Sequence, residues 1–181
     1  MRGFTLIEML IVVAIIGILA ALLIPNAMSA LQKAKQKGTV KDVNTIATAL
    51  MDYVTDKGGF TQTSGMVHNG VLSGPQDTIV TKLQGFYLKT FPLTDQWGHY
   101  FYIYTGTGCS SNAFVTGTVT YADDDFIVGS SGRNTTIEVQ FDPTKPGDSL
   151  YDVSTMADFN KEIANWNGNL IIGPRTASST T

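Results

Sequence analysis

Apolar residues are concentrated at the start of the chain, where the segment from Phe4 to Ile24 contains only two polar residues, Thr5 and Glu8. A helix of this length rises by roughly 30 Å, which matches the hydrocarbon thickness of a bilayer. The pattern therefore predicts a membrane-spanning helix. Three other interpretations stay open: a secretory signal peptide cut between Ala27 and Ala30, a plain membrane anchor, and a helix buried in a protein core.

The hydrophobic pattern becomes amphipathic after Pro25. Apolar residues recur at steps of three and four, which is the spacing of one helix face, and charged or polar residues fill the other positions. The apolar set consists of Leu31, Ala34, Val40, Val43, Ile46, Ala47, Leu50, Tyr53 and Val54. Gly58 and Gly59 predict the end of the helix at Asp56 or Lys57. The helix would then hold about 54 residues, some 80 Å in length.

The remainder of the chain is rich in Gly, Thr, Ser, Asn and Asp and favours short strands joined by turns. A short helix is predicted at Thr78–Leu83. Strands are predicted at Tyr100–Tyr104, Val119–Val128, Thr136–Phe141 and Asn169–Ile172, with a turn at Gly129–Gly132. The predicted fold class is α+β, with one long N-terminal helix packed on a small antiparallel β-sheet.

Glu8 is the residue in the apolar segment that needs a functional explanation, because an ionisable side chain is costly there. No Lys or Arg occurs between residues 3 and 32, so a nearby positive partner is missing from the segment. If the chain is cut after Gly3, Phe4 becomes a new N-terminus with an ammonium group. In a filament, that group could meet Glu8 of a neighbouring subunit and set the axial register.

The sequence Arg2-Gly3-Phe4-Thr5-Leu6-Ile7-Glu8, followed by the apolar run, resembles the leader and cleavage site of type IV prepilins and type II secretion pseudopilins. The resemblance implies a membrane prepilin peptidase that cuts between Gly3 and Phe4. It also implies N-methylation of Phe4, which keeps the positive charge, and a helix-kinking role in assembly for Pro25. The resulting division is a leader (1–3), a membrane and filament-core helix (4–25), its amphipathic half (26–57) and a globular β-rich head (58–181).

Two segments of the head favour one branch of this family, the type II secretion pseudopilins. Phe91 to Gly98 is similar to the motif that precedes the first strand of major pseudopilins in type II secretion, with Gln96 in place of a proline. Phe126 to Gly132 resembles that family's strand and glycine turn. The single cysteine, Cys109, also favours the pseudopilin branch. Many type IV pilins close a C-terminal loop with a disulfide, which a chain with one cysteine cannot form. We therefore predict a structural subunit of a secretion pseudopilus that drives protein export. A type IV pilus subunit for adhesion or motility and a DNA-uptake pseudopilin stay open.

The resemblance also implies the partners and the location. The partners would be further copies in a helical filament, the prepilin peptidase, an inner-membrane assembly platform, minor pseudopilins and, before assembly, membrane lipid. The expected location is the inner membrane, with one membrane pass and the head in the periplasm, and then a periplasmic or extracellular filament. A net charge of −3 argues against a general affinity for nucleic acid. The basic cluster from Lys33 to Lys41 fits a solvated face near anionic headgroups.

The head shows no nucleophile motif, phosphate-binding loop or paired acid and base, so the sequence does not predict an enzyme. We interpret His68, His99 and Cys109 as structural or surface residues. Major pseudopilins are similar in having a calcium site in their C-terminal loop, and calcium takes several oxygen ligands. Here Asp158, Asn160 and Glu162 have the alternate spacing of a calcium-loop fragment. A solvated acidic surface is the other interpretation.

Overall fold

The computed structural model describes residues 4–175. Its contacts define two units, residues 1–34 and residues 35–181. The described part of the first unit consists almost entirely of the first portion of helix α1, which begins at Leu6 and ends at Lys57. Gly58, with a φ of +80°, ends the helix and donates its N–H to the Val54 carbonyl at 2.7 Å. The predicted end of the helix is therefore confirmed.

The described residues of the second unit hold the rest of α1, helix α2 (Thr78–Leu83) and a six-stranded sheet. The sheet order is β1-β2-β3-β5-β6-β4. Neighbouring strands are antiparallel except β4 and β6, which are parallel. The strands are β1 (Asn69–Val71), β2 (Tyr102–Thr105), β3 (Phe126–Ser130), β4 (Leu150–Tyr151), β5 (Ile163–Trp166) and β6 (Asn169–Pro174). The predicted α+β fold with a mainly antiparallel sheet is confirmed, as is the position of α2.

The central strand β3 separates two hydrophobic clusters because successive side chains of a strand point to opposite faces. Phe126 and Val128 belong to the cluster that also contains Val43, Ile46 and Leu50 of α1. Ile127 belongs to the other cluster, which is built from loop and strand residues. That second cluster contains Tyr104, Cys109, Phe114, Val115, Phe141, Tyr151, Ala164, Ile171 and Ile172. Both faces of the sheet are therefore covered, and the amphipathic half of α1 covers one of them.

The predicted strand Val119–Val128 is wrong over its first seven residues, because β3 begins only at Phe126. The preceding segment forms a turn around Asp125, whose Oδ2 accepts the Ala122 N–H at 2.6 Å. The predicted turn at Gly129–Gly132 is also misplaced, since β3 includes Gly129 and Ser130. Only Gly132 in this stretch has a left-handed φ, of +72°.

The predicted strand Thr136–Phe141 is not a strand of the sheet. The backbone N–H groups of Glu138 and Val139 donate to the carboxylate of Glu162 instead of to a neighbouring strand. Alternate side chains still pack inward, since Ile137 and Val139 lie against the second cluster. The prediction of a strand here is therefore wrong, because a side chain and not a neighbouring strand accepts these N–H groups.

Candidate functional site

The apolar segment of the first unit carries its side chains on the outside of a single helix. Leu6 is 83% exposed, and the large apolar side chains from there to Ile24 are all at least 46% exposed. The segment is long and apolar enough to cross a membrane. An apolar surface of this extent needs lipid or another protein to cover it. The described part of this unit is therefore a surface for insertion or assembly.

Glu8 caps the helix to which it belongs. Its Oε2 accepts the backbone N–H of Thr5 at 2.8 Å and the Thr5 hydroxyl at 2.6 Å. The N–H of Glu8 in turn donates to the Thr5 Oγ1 at 3.4 Å. This reciprocal arrangement is a capping box, and its sequence signature is Ser or Thr followed three residues later by Glu or Gln. Thr5 and Glu8 carry that signature in the sequence, where it was missed, and it gives Glu8 a local role besides any role between subunits.

The other predicted processing and assembly residues lie close to this capped end or further along α1. Gly3 lies outside the described residues, and so does the predicted cleavage point before Phe4. Phe4 itself is 77% exposed and precedes the first turn of the helix. Pro25 lies inside α1, and the assigned helix continues through it. The predicted roles of Gly3, Phe4 and Pro25 stay predictions.

The motif that runs from Phe91 to Gly98 is organised by Asp95, a buried carboxylate. Its Oδ1 accepts the backbone N–H groups of Trp97 and His99, each at 2.9 Å. Its Oδ2 accepts the hydroxyl of Ser130, at the end of β3, at 2.7 Å. Asp95 therefore connects the motif to the sheet. The role of Asp95 could not be predicted from the motif, because the burial of a single aspartate is not visible in a sequence pattern.

Gln96, the residue that departs from the family motif, connects the same motif to α1. Its backbone N–H donates to the Thr39 hydroxyl at 3.2 Å, and its side-chain amide donates to Asp42 at 2.8 Å. The side chain lies over Gly38, where a Cβ atom would come within 2.8 Å of Gln96 Cγ. The amide therefore supplies contacts that a proline could not make.

Asp158, the first predicted calcium ligand, is already satisfied by donors of the chain. Its Oδ2 accepts the N–H groups of Ser154 and Thr155 and both of their hydroxyls, at 2.7–3.3 Å. Its Oδ1 pairs with the ammonium of Lys161 at 2.8 Å. The Lys161 ammonium, followed by the Thr155 N–H, holds the pKa of Asp158 well below its usual value. A cation bound here would have to displace Lys161.

Asn160 and Glu162 have partners of their own elsewhere. The Asn160 Oδ1 accepts the Arg133 Nε at 3.0 Å. Glu162 is fully buried, and its carboxylate accepts the backbone N–H groups of Glu138 and Val139. Burial raises the pKa of Glu162, against the effect of these N–H donors. The three predicted ligands therefore serve three separate hydrogen-bond sets and do not fit one calcium site.

The two histidines and the cysteine are also held by contacts within the fold. His68 bonds the Ile103 carbonyl at 2.8 Å and Asp77 at 3.1 Å, while His99 bonds the Gly132 carbonyl at 3.0 Å. Cys109 is buried in the second cluster. Across residues 4–175, no three or more His, Cys, Asp or Glu residues are grouped so that they could hold a metal ion. Calcium binding by this chain stays an untested prediction.

Comparison with known proteins first defines the class of the N-terminal segment. Residues 1–24 match the prokaryotic N-terminal methylation motif. This match covers the predicted processing residues and the whole apolar segment from Phe4 to Ile24.

A second match covers the amphipathic half of α1 and much of the head. Residues 26–138 match the type II secretion system (T2SS) protein G family. Because this match spans more than half of the chain, the protein belongs to the type II secretion system protein G family. The resemblance inferred from the leader and the head motif is therefore confirmed.

Individual relatives agree with the family match. The type II secretion system core protein G of Pseudomonas aeruginosa is 39% identical over 109 residues, which cover 58% of this chain and 75% of that protein. Its counterpart in Vibrio cholerae is 32% identical over 116 residues, which cover 64% of this chain and 79% of that protein. No solved structure matches the chain at a significant level.

A pilin also resembles the chain, but over a shorter stretch. The type IV major pilin protein PilA of Myxococcus xanthus is 46% identical over 56 residues, which cover 31% of this chain and 26% of that protein. The relatives that cover more of the chain are secretion proteins. The comparisons therefore favour the secretion branch over the pilus branch.

Proposed function

We propose that this protein is the major structural subunit of a type II secretion pseudopilus, a filament that drives protein export. The observation that carries the proposal is the combination of an exposed apolar helix with a head that matches the protein G family. The helix supplies a surface for burial against other copies, and the head identifies the secretion branch. The protein is a mechanical part of this assembly and not its catalyst.

Processing at the leader would prepare the subunit for assembly. A prepilin peptidase cuts between Gly3 and Phe4 and methylates the new amino group, in keeping with the methylation-motif match. Before assembly the apolar segment spans the inner membrane once, with the head in the periplasm. The subunit then moves from lipid into the filament, with the help of an inner-membrane assembly platform and minor pseudopilins.

Glu8 would have two successive partners in this scheme. In the isolated chain its carboxylate caps α1 through Thr5. In the filament it would pair with the Phe4 ammonium of an adjacent subunit, which removes an unpaired charge from an apolar environment and sets the register. The two roles differ in what they require, because capping needs an acceptor oxygen and pairing needs a negative charge.

That difference provides the experiment. Glu8→Gln keeps an oxygen for the capping box but removes the charge, whereas Thr5→Ala weakens the cap but keeps the charge. We expect Glu8→Gln to abolish filaments and secretion of a reporter exoprotein, and Thr5→Ala to retain both. Mass spectrometry of each protein checks that cleavage before Phe4 and its methylation still occur. Equal assembly of Glu8→Gln and wild type, or an uncut leader in assembled material, would refute the scheme.

The match to a type IV major pilin supports a second candidate function, a surface pilus. The apolar helix would serve both assemblies equally, so the helix does not discriminate between them. Deletion of the gene distinguishes the two functions: loss of exoprotein release with normal surface motility supports the pseudopilus. Loss of motility or of surface fibres with normal exoprotein release would support the pilus.

A further inference from the structure

The second half of α1 presents an exposed stripe whose charge changes sign along the helix. We define the helix stripe as Lys37, Lys41, Asn44, Thr48 and Asp52, all of which are exposed. Successive members are three or four residues apart, so they lie along one side of the helix. The stripe is basic at its N-terminal end, neutral and polar in the middle, and acidic at its C-terminal end.

A cavity of about 280 Å³ opens beside the middle and the acidic end of the stripe. Asn44, Thr48 and Asp52 of α1 line one side of it, and Asn165 of β5 and Gly168 of the β5–β6 turn line the other. These residues all belong to the second unit. Gly168 has no side chain to fill the space, and the cavity is large enough to receive the end of a long side chain.

A residue that lines the cavity, Asn165, carries a buried hydrogen-bond acceptor that lacks a donor. Asn165 is 1% exposed, and its Nδ2 donates to the Asn44 Oδ1 at 3.0 Å. Its Oδ1 has no hydrogen-bond partner among residues 4–175. A buried acceptor without a partner is unfavourable, because it has lost its hydrogen bond to water. A donor that enters the cavity and displaces the atoms covering this oxygen would satisfy it.

The other polar groups of the cavity define the kind of donor. Asp52 contributes a carboxylate, which accepts hydrogen bonds and carries a negative charge. The Thr48 hydroxyl already donates to the Asn44 carbonyl at 2.9 Å, which leaves its lone pairs as acceptors. An ammonium group suits such a site, because it is positive and has three donors and no acceptor. Met51 lines the cavity as well and offers an apolar contact to the stem of a lysine.

We propose that the cavity receives a lysine from the basic end of the helix stripe, Lys37 or Lys41, of a second copy of this chain. The ammonium donates to the Asn165 Oδ1 and pairs with Asp52. This inference rests on the proposed function, because it requires copies in a repeating assembly.

The geometry of the stripe suits a filament. The basic end of one copy meets the acidic end of the next, which is a head-to-tail contact, and contacts of this type generate open helical assemblies. Lys41 and Asp52 are eleven positions apart in the chain, and Lys37 and Asp52 are fifteen positions apart. At the helical rise per residue, the two copies would be displaced along the helix direction by about 16 Å or about 22 Å.

Charge reversal tests the contact in the full chain. Asp52→Lys should reduce assembled protein about tenfold, as expected when one contact of about 1.4 kcal/mol is lost. The double substitution Lys37→Asp with Lys41→Asp should reduce it similarly. The combination of all three should restore filaments in part, because it restores the ion pair but supplies no donor to the Asn165 Oδ1. Asp124→Lys, at an exposed position away from the stripe, is the matched control. Circular dichroism of each variant checks that the head stays folded.

Disulfide trapping tests the same contact by distance. Lys37→Cys and Thr48→Cys in one chain are eleven positions apart on a helix, about 16 Å, which is too far for a bond within the chain and equals the displacement that brings Lys41 of one copy level with Asp52 of the next. Oxidation of filaments should therefore give a ladder of multimers, and each single variant should give none. Lys37→Cys combined with Thr81→Cys, on α2, is the control pair.

The outcomes separate this inference from the proposed function. If the wild type forms no filaments, the proposed function fails and this inference falls with it. The inference is overturned if the wild type assembles but charge reversal at Asp52 has no effect. It is also overturned if the triple variant restores no filaments and oxidation gives no ladder. In either case the cavity holds only water. Rescue by the triple variant together with a ladder supports it.

Discussion

The carboxylate of Asp95 and the hydroxyl of Ser130 form a buried hydrogen bond of 2.7 Å between the turn before β2 and the end of β3. The same carboxylate also accepts two backbone N–H groups of its own turn, from Trp97 and His99. The Ser130 hydroxyl in turn accepts the Gly132 N–H at 3.1 Å. The two head segments that resemble the family are thus joined to each other through one aspartate.

Replacement of this aspartate should destabilise the head. In Asp95→Ala, the Ser130 hydroxyl and the N–H groups of Trp97 and His99 lose their acceptor in a buried site. We expect a loss of about 3 kcal/mol in the free energy of unfolding, measured by urea denaturation followed by circular dichroism. Asp124→Ala, at an exposed position, should change the value by no more than about 0.5 kcal/mol. Equal stability of the two variants would contradict the structural role of Asp95.

The helix could be predicted from sequence because its determinants are local. The three- and four-residue spacing of Val43, Ile46 and Leu50 marks a face, and that face is buried in the core. The end of the helix followed from Gly58. Strand β6 was also predicted, at Asn169–Ile172, although it extends to Pro174.

The sheet was harder to predict because pairing depends on residues far apart in the chain. Strands β1, β4 and β5 have two to four residues each, too few for an alternating pattern to be distinctive. Strand β5 pairs with β3 across more than 30 residues of intervening chain. The error at Thr136–Phe141 has the same origin, because the acceptor of its N–H groups is a distant side chain, Glu162.

The candidate sites could likewise be predicted only where their residues are close together in the sequence. The processing motif around Phe4 and Glu8 is a continuous string, so it was recognisable from sequence alone. The calcium prediction at Asp158, Asn160 and Glu162 relied on spacing. Asp158 is instead satisfied by Ser154, Thr155 and Lys161 nearby, while the partners of Asn160 and Glu162 come from distant segments. The cavity beside Asn165 involves β5 and α1, more than 100 residues apart in the chain. Its missing donor is visible only in the folded structure.

Gly132 should resist substitution for two separable reasons. Its φ of +72° favours glycine, and a Cβ atom there would lie 2.6 Å from the backbone oxygens of Asn160 and Lys161. Gly117, with a φ of +88° and nothing within 4 Å of its Cβ position, is the matched control for the backbone effect. We expect Gly117→Ala to lower the free energy of unfolding by about 1 kcal/mol. Gly132→Ala should lower it by about 2 kcal/mol more, because backbone atoms cannot move aside easily. Equal losses of unfolding free energy in the two variants would show that a Cβ atom at position 132 is not crowded by the backbone oxygens.

Asp158 should contribute to the acid sensitivity of the head. The Lys161 ammonium and the Thr155 N–H lower the pKa of Asp158 in the folded state below its usual value of 3.8. A lowered pKa means that the stabilisation is present above the unfolded value and is lost as the pH falls below it. The unfolding free energy of the wild type should therefore fall more steeply below about pH 3.8 than that of Asp158→Asn.

A double-mutant cycle checks the assignment to the ion pair. Lys161→Met should flatten the same part of the pH profile, because Lys161 is the largest cause of the lowered pKa. The combination with Asp158→Asn should add less than the sum of the two single effects, as expected for residues in direct contact. Additive effects, or a wild-type profile parallel to that of Asp158→Asn, would contradict the assignment.

Cys109 should be unreactive as long as the head is folded. Its side chain is fully buried, and burial, together with the nearby Asp125 carboxylate, raises the pKa of its thiol to about 12. Only the thiolate reacts readily, so labelling by a thiol reagent at pH 8 should be slow in buffer and fast in urea. Ser110→Cys in a Cys109→Ser background places an exposed thiol in the neighbouring position and should react quickly in both conditions. Rapid labelling of native Cys109 would mean that this loop opens readily, and that the second cluster is not the closed core described above.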